Sequence, residues 1–462
     1  MRRLSALRAA ARAAAALLLA LSLDSVTSPA LAQGPTDNGS AAAPTARRMR
    51  LDECVDLALR NNVEVQSATE DVAASEAQRT GSRGQIGPRI RVDAYAHEWD
   101  SKYNIPFGAA SFPVRDQFEW NATLSATQPI TGLFAIFDVY KIKNLGVDIA
   151  SIRREVTRRD TAYRVVESYY HLVQGQRLVE VAAASVEQLQ AQLKQSNSFH
   201  NNGVVSQDDV LRAQLAVANA QQRLIQMRSR VSLEQARLAV LIGQPDVNVD
   251  PQPIGAGAEQ PAQPAREAVT LDQAQKTAET QRIELVEVDK RLEQADKEVK
   301  VAYLRLAPQV SVVGAYIHNE GSQFVQTNSA YIGAQATWDV WDWGTTTSGI
   351  SEAKARARQA SLGRTKISDQ IRLEVRRAYL ELTAASEAMV VAQASVASAE
   401  ENFRLVKKRY DASAATSFDV IDAEALLTQS RGQMQTALYD QLVARAALRR
   451  AMGTTAEKLA RD

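Results

Sequence analysis

From Ile371 the chain steps alternately by fours and threes through Val375, Ala378, Leu382, Ala385, Met389, Ala392, Val396, Ala399, Phe403, Val406 and Tyr410. Every one of these positions is apolar. From Ala378 onward alanine returns at each seventh residue, facing a row of mostly larger side chains. A seven-residue repeat sustained this long predicts a coiled-coil seam, and a row of alanines lets the neighbouring helix approach closely. An earlier stretch keeps the same frame through Val165, Ser168, Leu172, Gly175, Val179, Ala182, Val186, Leu189 and Leu193. The helix predicted there, from about Lys141 to Ser196, would be on the order of 80 Å long at 1.5 Å per residue. An ordinary globular core has no room for it.

Shorter stretches alternate with period two. In "FEWNATLSATQPI" Phe118, Trp120, Ala122, Leu124 and Ala126 fall on one face, with Glu119, Asn121, Thr123, Ser125 and Thr127 on the other. "RIRVDAYAHE" sets Ile90, Val92, Ala94 and Ala96 against Arg91, Asp93, Tyr95 and His97. Strands of about ten residues with one apolar and one polar face fit an outer-membrane barrel. A soluble half-buried hairpin shows the same alternation. Weaker versions lie around Val310–His318 and Tyr331–Trp341, and "SKYNIPFGAASFPVR" and "NEGSQFVQTNS" are expected as the loops joining each strand pair. Trp99, Tyr103, Trp338, Trp341 and Trp343 gather near strand ends, as interfacial aromatics do.

The chain is written twice. "LDECVDLALRNNVEV" from Leu51 is echoed by "LDQAQKTAETQRIEL" from Leu271, Pro88 by Pro308, and "GVVSQDDVLRAQ" from Gly203 by "SAATSFDVIDAE" from Ser413. "LIGQP" and "AMGTT" end each copy with a glycine, as a helix C-cap would. The expected organisation is a first repeat over 51–243 with strands at about 88–100 and 117–130, a linker over 244–269, and a second repeat over 270–453 with strands at about 308–319 and 330–341. Residues 33–50 are expected as a flexible N-terminal segment and 454–462 as a C-terminal tail. Each copy reads helix, two strands, very long helix, long helix. The fold class is mainly α with a β-barrel portion.

Residues 1–32 do not belong to that fold. Four arginines, an apolar run from Ala13 to Leu23 and the small-x-small site Ala30-Leu31-Ala32 predict a secretory signal peptide. Its removal leaves 50 Lys and Arg against 52 Asp and Glu, from 54 and 53 in the full chain. The signs are mixed along the sequence, so nothing suggests a nucleic-acid surface. No later segment is apolar enough for a transmembrane helix, and a membrane role would fall to strands. Cys54 is the single cysteine, so an internal disulfide is impossible, and a buried thiol is expected.

Enzyme chemistry finds no foothold. His97, His171, His200 and His318 are scattered without metal-ligand spacing, and neither a phosphate loop nor a nucleophile turn is present. No cofactor or metal is expected. Four strands cannot close a membrane barrel, and an open edge in lipid leaves backbone groups unpaired at several kcal/mol each. Several chains must therefore combine, two giving eight strands and three giving twelve. Side chains fill an eight-stranded interior, so a conducting pore favours three or more copies.

The duplicated layout, the "LDECVDLALRNN" opening and the paired tip motifs resemble the TolC family of outer-membrane efflux proteins, over about Leu51 to Gly453. The resemblance implies a homotrimer with a twelve-stranded barrel in outer-membrane lipid and a helical barrel in the periplasm. It implies an exit duct for tripartite efflux or type I secretion, passive, working with a periplasmic adaptor and an inner-membrane transporter of RND or ABC type. It also assigns the turn after Tyr410 to the periplasmic end. There Asp419 and Asp422 match the family's constricting acids, supported by Tyr410, Asp209 and Gly203. Three copies would ring six carboxylates, and crowding of like charge should raise some of their pKa values. On the residues alone, Asp419 equally suits a helix N-terminal acid and Asp422 a solvated surface position. Where several relatives carry an arginine that ties the tips, this chain has Ala414-Ala415-Thr416. The alternative reading is a periplasmic coiled-coil adaptor or scaffold with soluble hairpins.

Overall fold

The structure is a computed structural model and describes residues 47–251, 269–412 and 414–459. The expected signal peptide, residues 33–46, most of the linker, Ser413 and the last three residues of the tail lie outside the described residues.

Two short helices, α1 (Leu51–Asn61) and α2 (Val63–Gly84), follow strand β1 (Arg47–Met49). Next come strands β2 (Arg89–Glu98), β3 (Tyr103–Phe107) and β4 (Ala110–Pro129), then helices α3 (Gly132–Asn201) and α4 (Gln207–Leu241). Strand β5 (Val249–Pro251) leads into the second half, which repeats the order. It contains α5 (Leu271–Gln281), α6 (Ile283–Leu304), β6 (Gln309–Ser322), β7 (Asn328–Thr337), α7 (Thr345–Asp411), α8 (Ser417–Ala451) and a last turn, α9 (Ala456–Leu459). At 70 and 67 residues, α3 and α7 are each about 100 Å long.

The heptad frame sets the packing. Along α7 every seam position from Ile371 to Tyr410 is buried or half-buried, while most of the intervening residues are exposed. The seam faces α8. The matching frame of α3 is buried as well, and α3 adds a second buried row through Ala162, Val166, Tyr169 and Val173. The difference follows from position. α3 packs against α1, α2, α4, α6 and α8, so it is covered along most of its length, whereas α7 packs against α5, α6 and α8 and leaves its other side open. The order across the long-helix layer is α4, α3, α8, α7. The two margins carry exposed apolar stripes: Leu211, Leu215, Ile225, Leu233 and Val240 on α4, and Leu362, Leu373, Leu380, Val391 and Leu405 on α7. At 3.6 residues per turn each set falls within one narrow band.

The two repeats end alike. Gly243 donates to the Val240 carbonyl while Gln244 donates to Ala239, and Gly453 and Thr454 do the same to Arg450 and Arg449. Both glycines have positive φ, 72° and 94°, the left-handed closure of a Schellman cap. A Cβ on Gly243 would stand 2.7 Å from the Asn61 backbone, so the α4 terminus is pressed onto the α1–α2 break.

The strands form one antiparallel sheet in the order β2, β4, β6, β7. Register sets Ile90 opposite Ala126, Val92 opposite Leu124 and Ala94 opposite Ala122, so the apolar rows read in the sequence lie side by side. The row continues through Tyr316 and Gly314 to Ile332 and Ala334. Its reverse face carries Arg91, Asp93, Thr123, Ser125, Asn121 and Asn319, the last two sharing an amide hydrogen bond. β2 and β7 are the margins, and among the described residues each has one free edge.

One expectation is corrected here. "SKYNIPFGAASFPVR" is not a plain loop: β3 pairs with the first residues of β4 around a two-residue turn, Gly108-Ala109. Gly108 has φ 60°, and glycine at the first turn position is what a II′ hairpin turn selects. β4 therefore runs for 20 residues and overshoots β2, which pairs only with Phe118–Thr127. The residues at the strand margins shift accordingly: β2 ends at Glu98 and β7 at Thr337.

Candidate functional site

The tips are the ends of two helical hairpins, α3–α4 and α7–α8. In the first, Asn202 to Ser206 make the turn, and Gly203 takes φ 74° there, donating to the His200 carbonyl at 2.9 Å. Ser206 then caps α4: its hydroxyl accepts from the Asp209 amide at 3.3 Å, and Asp209 Oδ2 accepts from the Ser206 amide. In the second, Thr416 and Asp419 repeat the arrangement. Asp419 Oδ2 accepts from the Thr416 amide and from its hydroxyl, both at 2.8 Å, and the Asp419 amide donates to Thr416 Oγ1. The two proposed acids at matching positions, Asp209 and Asp419, thus each close a capping box.

These bonds have an electrostatic consequence. The Thr416 amide and hydroxyl donate to the ionised carboxylate and hold Asp419 below the ordinary Asp range, against a small effect of burial and with help from Arg409. Within one chain the direction is opposite to the rise expected from like-charge crowding. Asp419 and Asp422 are both exposed, on the side of α8 turned from its core contacts Val420 and Ala423. A turn of helix separates them, so they share a face.

Tyr410 is only 2 % exposed. Its hydroxyl shares a hydrogen bond with Ser196 at 3.3 Å, Ser196 shares another with Ser417 at 3.3 Å, and Gln192 Nε2 donates to Ser196 at 3.5 Å. Phe199 lies against the Tyr410 ring, centroids 5.5 Å apart, and Gln195 donates to Asp411 at 2.9 Å. The last turn of α3 is therefore stitched to the end of α7 and the start of α8. The hydrogen-bond partner of the Tyr410 hydroxyl is Ser196. Sequence reasoning missed Ser196, Ser417 and Gln192 because a serine in a heptad seam carries no chemical signature. The Ser/Thr-x-x-Asp spacing of both caps was there to be read.

At the far end the aromatics separate into two levels. Trp99 and Tyr103 stand at the outer end of the sheet; the Arg115 guanidinium lies 3.6 Å over the Trp99 ring, and Trp99 Nε1 donates to Glu119. Trp338, Trp341 and Trp343 lie where β7 gives way to α7. Trp338 Nε1 donates to the Leu306 carbonyl at 3.1 Å, and Trp341 and Trp343 meet edge to face. Trp343 is 88 % exposed and holds a left-handed φ of 55°, an uncommon state for a bulky residue.

Between the two ends a chain of ion pairs joins the repeats. Arg159 meets Glu284 at 2.6 Å and Asp160 at 3.4 Å; Arg282 meets Glu284 at 3.5 Å and also Glu374; Arg450 meets Glu374 at 3.6 Å and Asp160 at 2.9 Å. The six alternate in sign and close on themselves, drawing α3, α6, α7 and α8 together. Burial pushes Glu284 up, but hydrogen bonding and charge from Arg159, with Arg282, outweigh it and hold the carboxyl below its ordinary range.

The chain thus carries a duplicated pair of long helical hairpins and an open, amphipathic antiparallel sheet. The profile of the outer membrane efflux proteins matches residues 54–244 and 274–454, and the chain belongs to that family. It is an outer-membrane channel protein whose helices stand in the periplasm. It is similar to the alkaline protease secretion protein AprF of Pseudomonas aeruginosa, 22 % identical over 403 residues, which span 85 % of this chain and 82 % of AprF. The fold matches the outer-membrane channel OprN with a TM-score of 0.75, at 17 % identity over 88 % of this chain and 90 % of OprN. It matches the outer membrane protein VceC of Vibrio cholerae with 0.73, at 17 % identity over 87 % and 96 %. The family assignment, to outer membrane efflux proteins, replaces the adaptor reading.

Proposed function

We propose that three copies of this chain close a twelve-stranded barrel and serve as the passive exit duct of a tripartite export system. A periplasmic adaptor and an inner-membrane transporter supply the energy. The observation that carries this is the pairing of margins: the sheet is open at β2 and β7, and the helical layer presents apolar stripes at α4 and α7. Both are satisfied together when the next copy packs alongside, as lipid requires of the strand edges. The lower tips, where Asp419 and Asp422 stand, are the proposed constriction, with Tyr410, Gly203 and Asp209 shaping the turns behind them. Native mass spectrometry of the detergent-purified protein tests the assembly: a trimer is expected, and a monomer overturns the reading.

The relative named for alkaline protease secretion favours proteins as cargo. Loss of a specific protein from the culture supernatant of a deletion strain, with drug susceptibility unchanged, is the outcome that reading expects; the converse pattern assigns the duct to small-molecule efflux.

A further inference from the structure

The β3–β4 hairpin stands outside the paired part of the sheet yet is firmly placed. Lys102 pairs with Asp116 at 3.0 Å, Arg115 covers Trp99, and on the opposite edge of β4 the Gln323 amide donates to the Val114 carbonyl at 3.0 Å. From Asn104 to Val114 the hairpin carries no charge. Ile105 stands opposite Phe112, Phe107 is two residues further on the same face and meets the Phe112 ring at 6.5 Å, and all three are exposed. Phe324 and Val325, in the β6–β7 loop, are likewise exposed, at 71 % and 51 %.

Topology says what lies beside that hairpin. β2 and β3 both pair with the same edge of β4, so their free edges continue one another. Following the ladders across one copy, Asn328 is level with His318, then Ala122, then Ala94. Strands in a closed barrel are staggered from copy to copy. Sliding a neighbouring β7 toward the helices would run it off the start of β2 at Arg89. Sliding it outward keeps the two strands paired and lifts the β6–β7 loop of that neighbour to the height of β3. We propose that the Ile105–Phe107–Phe112 face of β3–β4 seats Phe324 and Val325 of the adjacent copy, and that such contacts form an apolar collar above the outer rim of the barrel. This rests on the trimeric reading given above.

The test is a cysteine pair, Ile105→Cys with Phe324→Cys, in the full chain purified in detergent and treated with a short bis-maleimide. Cys54 is buried and stays out of the reaction. Cross-linked dimers and trimers on a denaturing gel are expected from the double variant and from neither single one. A trimer by native mass spectrometry that gives no such ladder, while both cysteines react fully with a maleimide-polyethylene glycol, overturns the collar and leaves the assembly standing; the hairpin face then awaits an outside partner. A monomer overturns both. As a second measurement, Ile105→Glu lowers the temperature at which the trimer dissociates and Phe324→Lys in the same chain restores it; equal loss in the double variant also overturns the contact.

Discussion

At the scale of single residues, Asp419 is asked to do two things. Its carboxylate caps its own helix, and in the proposed trimer it would also stand at the constriction. Asp419→Ala with Asp422→Ala is expected to raise single-channel conductance in planar bilayers and to weaken block by multivalent cations; unchanged conductance and block would remove both from the constriction. Because the cap uses the same oxygen, Asp419→Asn keeps part of the capping while removing charge, and should separate the two effects. Tyr410 differs in kind. Tyr410→Phe removes one hydroxyl from the Ser196–Ser417 cluster, at a cost of about 1 kcal/mol, and amide exchange should quicken across 192–199 and 409–418. Protection equal to the parent would show that the ring alone holds the turn. None of the Ser196 chemistry was legible in the sequence, where the residue reads as one polar side chain near a helix end. The two acids stand out in the sequence because they sit just past a break in an otherwise continuous period.

Elements were the most readable level. A period of 3.5 over a dozen positions leaves little freedom, and the α7 seam runs where the alternation placed it. A buried charge at Ala392 is expected to cost more than about 2 kcal/mol, whereas a charge reversal at exposed Glu387 should cost almost nothing; equal thermal stability of the two variants would count against close packing there. The upper strands were read less well. The overshoot of β4 was hidden because "NIPFGAASFPV" has two prolines and no strict alternation, and composition alone resembles a loop. What makes the overshoot feasible is a bulge in β4 between Arg115 and Trp120, facing Gly321. There φ is 92°, and a Cβ would meet the Phe118 carbonyl oxygen and the Glu119 backbone. Gly321→Ala is therefore expected to loosen the hairpin, with faster proteolysis after residues 102–117, while the helical layer keeps its melting temperature.

At the scale of the molecule, the ring of six charges ties the two repeats where four helices meet. Arg159 is 4 % exposed, and Arg159→Ala takes the hydrogen-bonded partner from a largely buried Glu284 and leaves it only Arg282 at 3.5 Å, a loss of about 2–3 kcal/mol. The sign of the pH dependence follows from Glu284. Its carboxyl is held below its unfolded value, so its contribution is complete above that value and disappears as pH falls through the folded one. Parent protein should lose thermal stability on acidification below about pH 4.3, and Glu284→Gln should flatten that part of the curve. Charged pairs 92 to 290 residues apart leave no trace in one sequence, so this ring was invisible until the repeats were folded together.

The exposed flank of α7 has a genetic corollary. In the proposed trimer a subunit damaged there would spoil the junction with an intact neighbour, so such an allele is expected to act as a poison and not as a simple loss. Co-expressed in equal amount with the parent gene, it leaves only about one assembly in eight wholly intact under random mixing of three, and export should drop far below half.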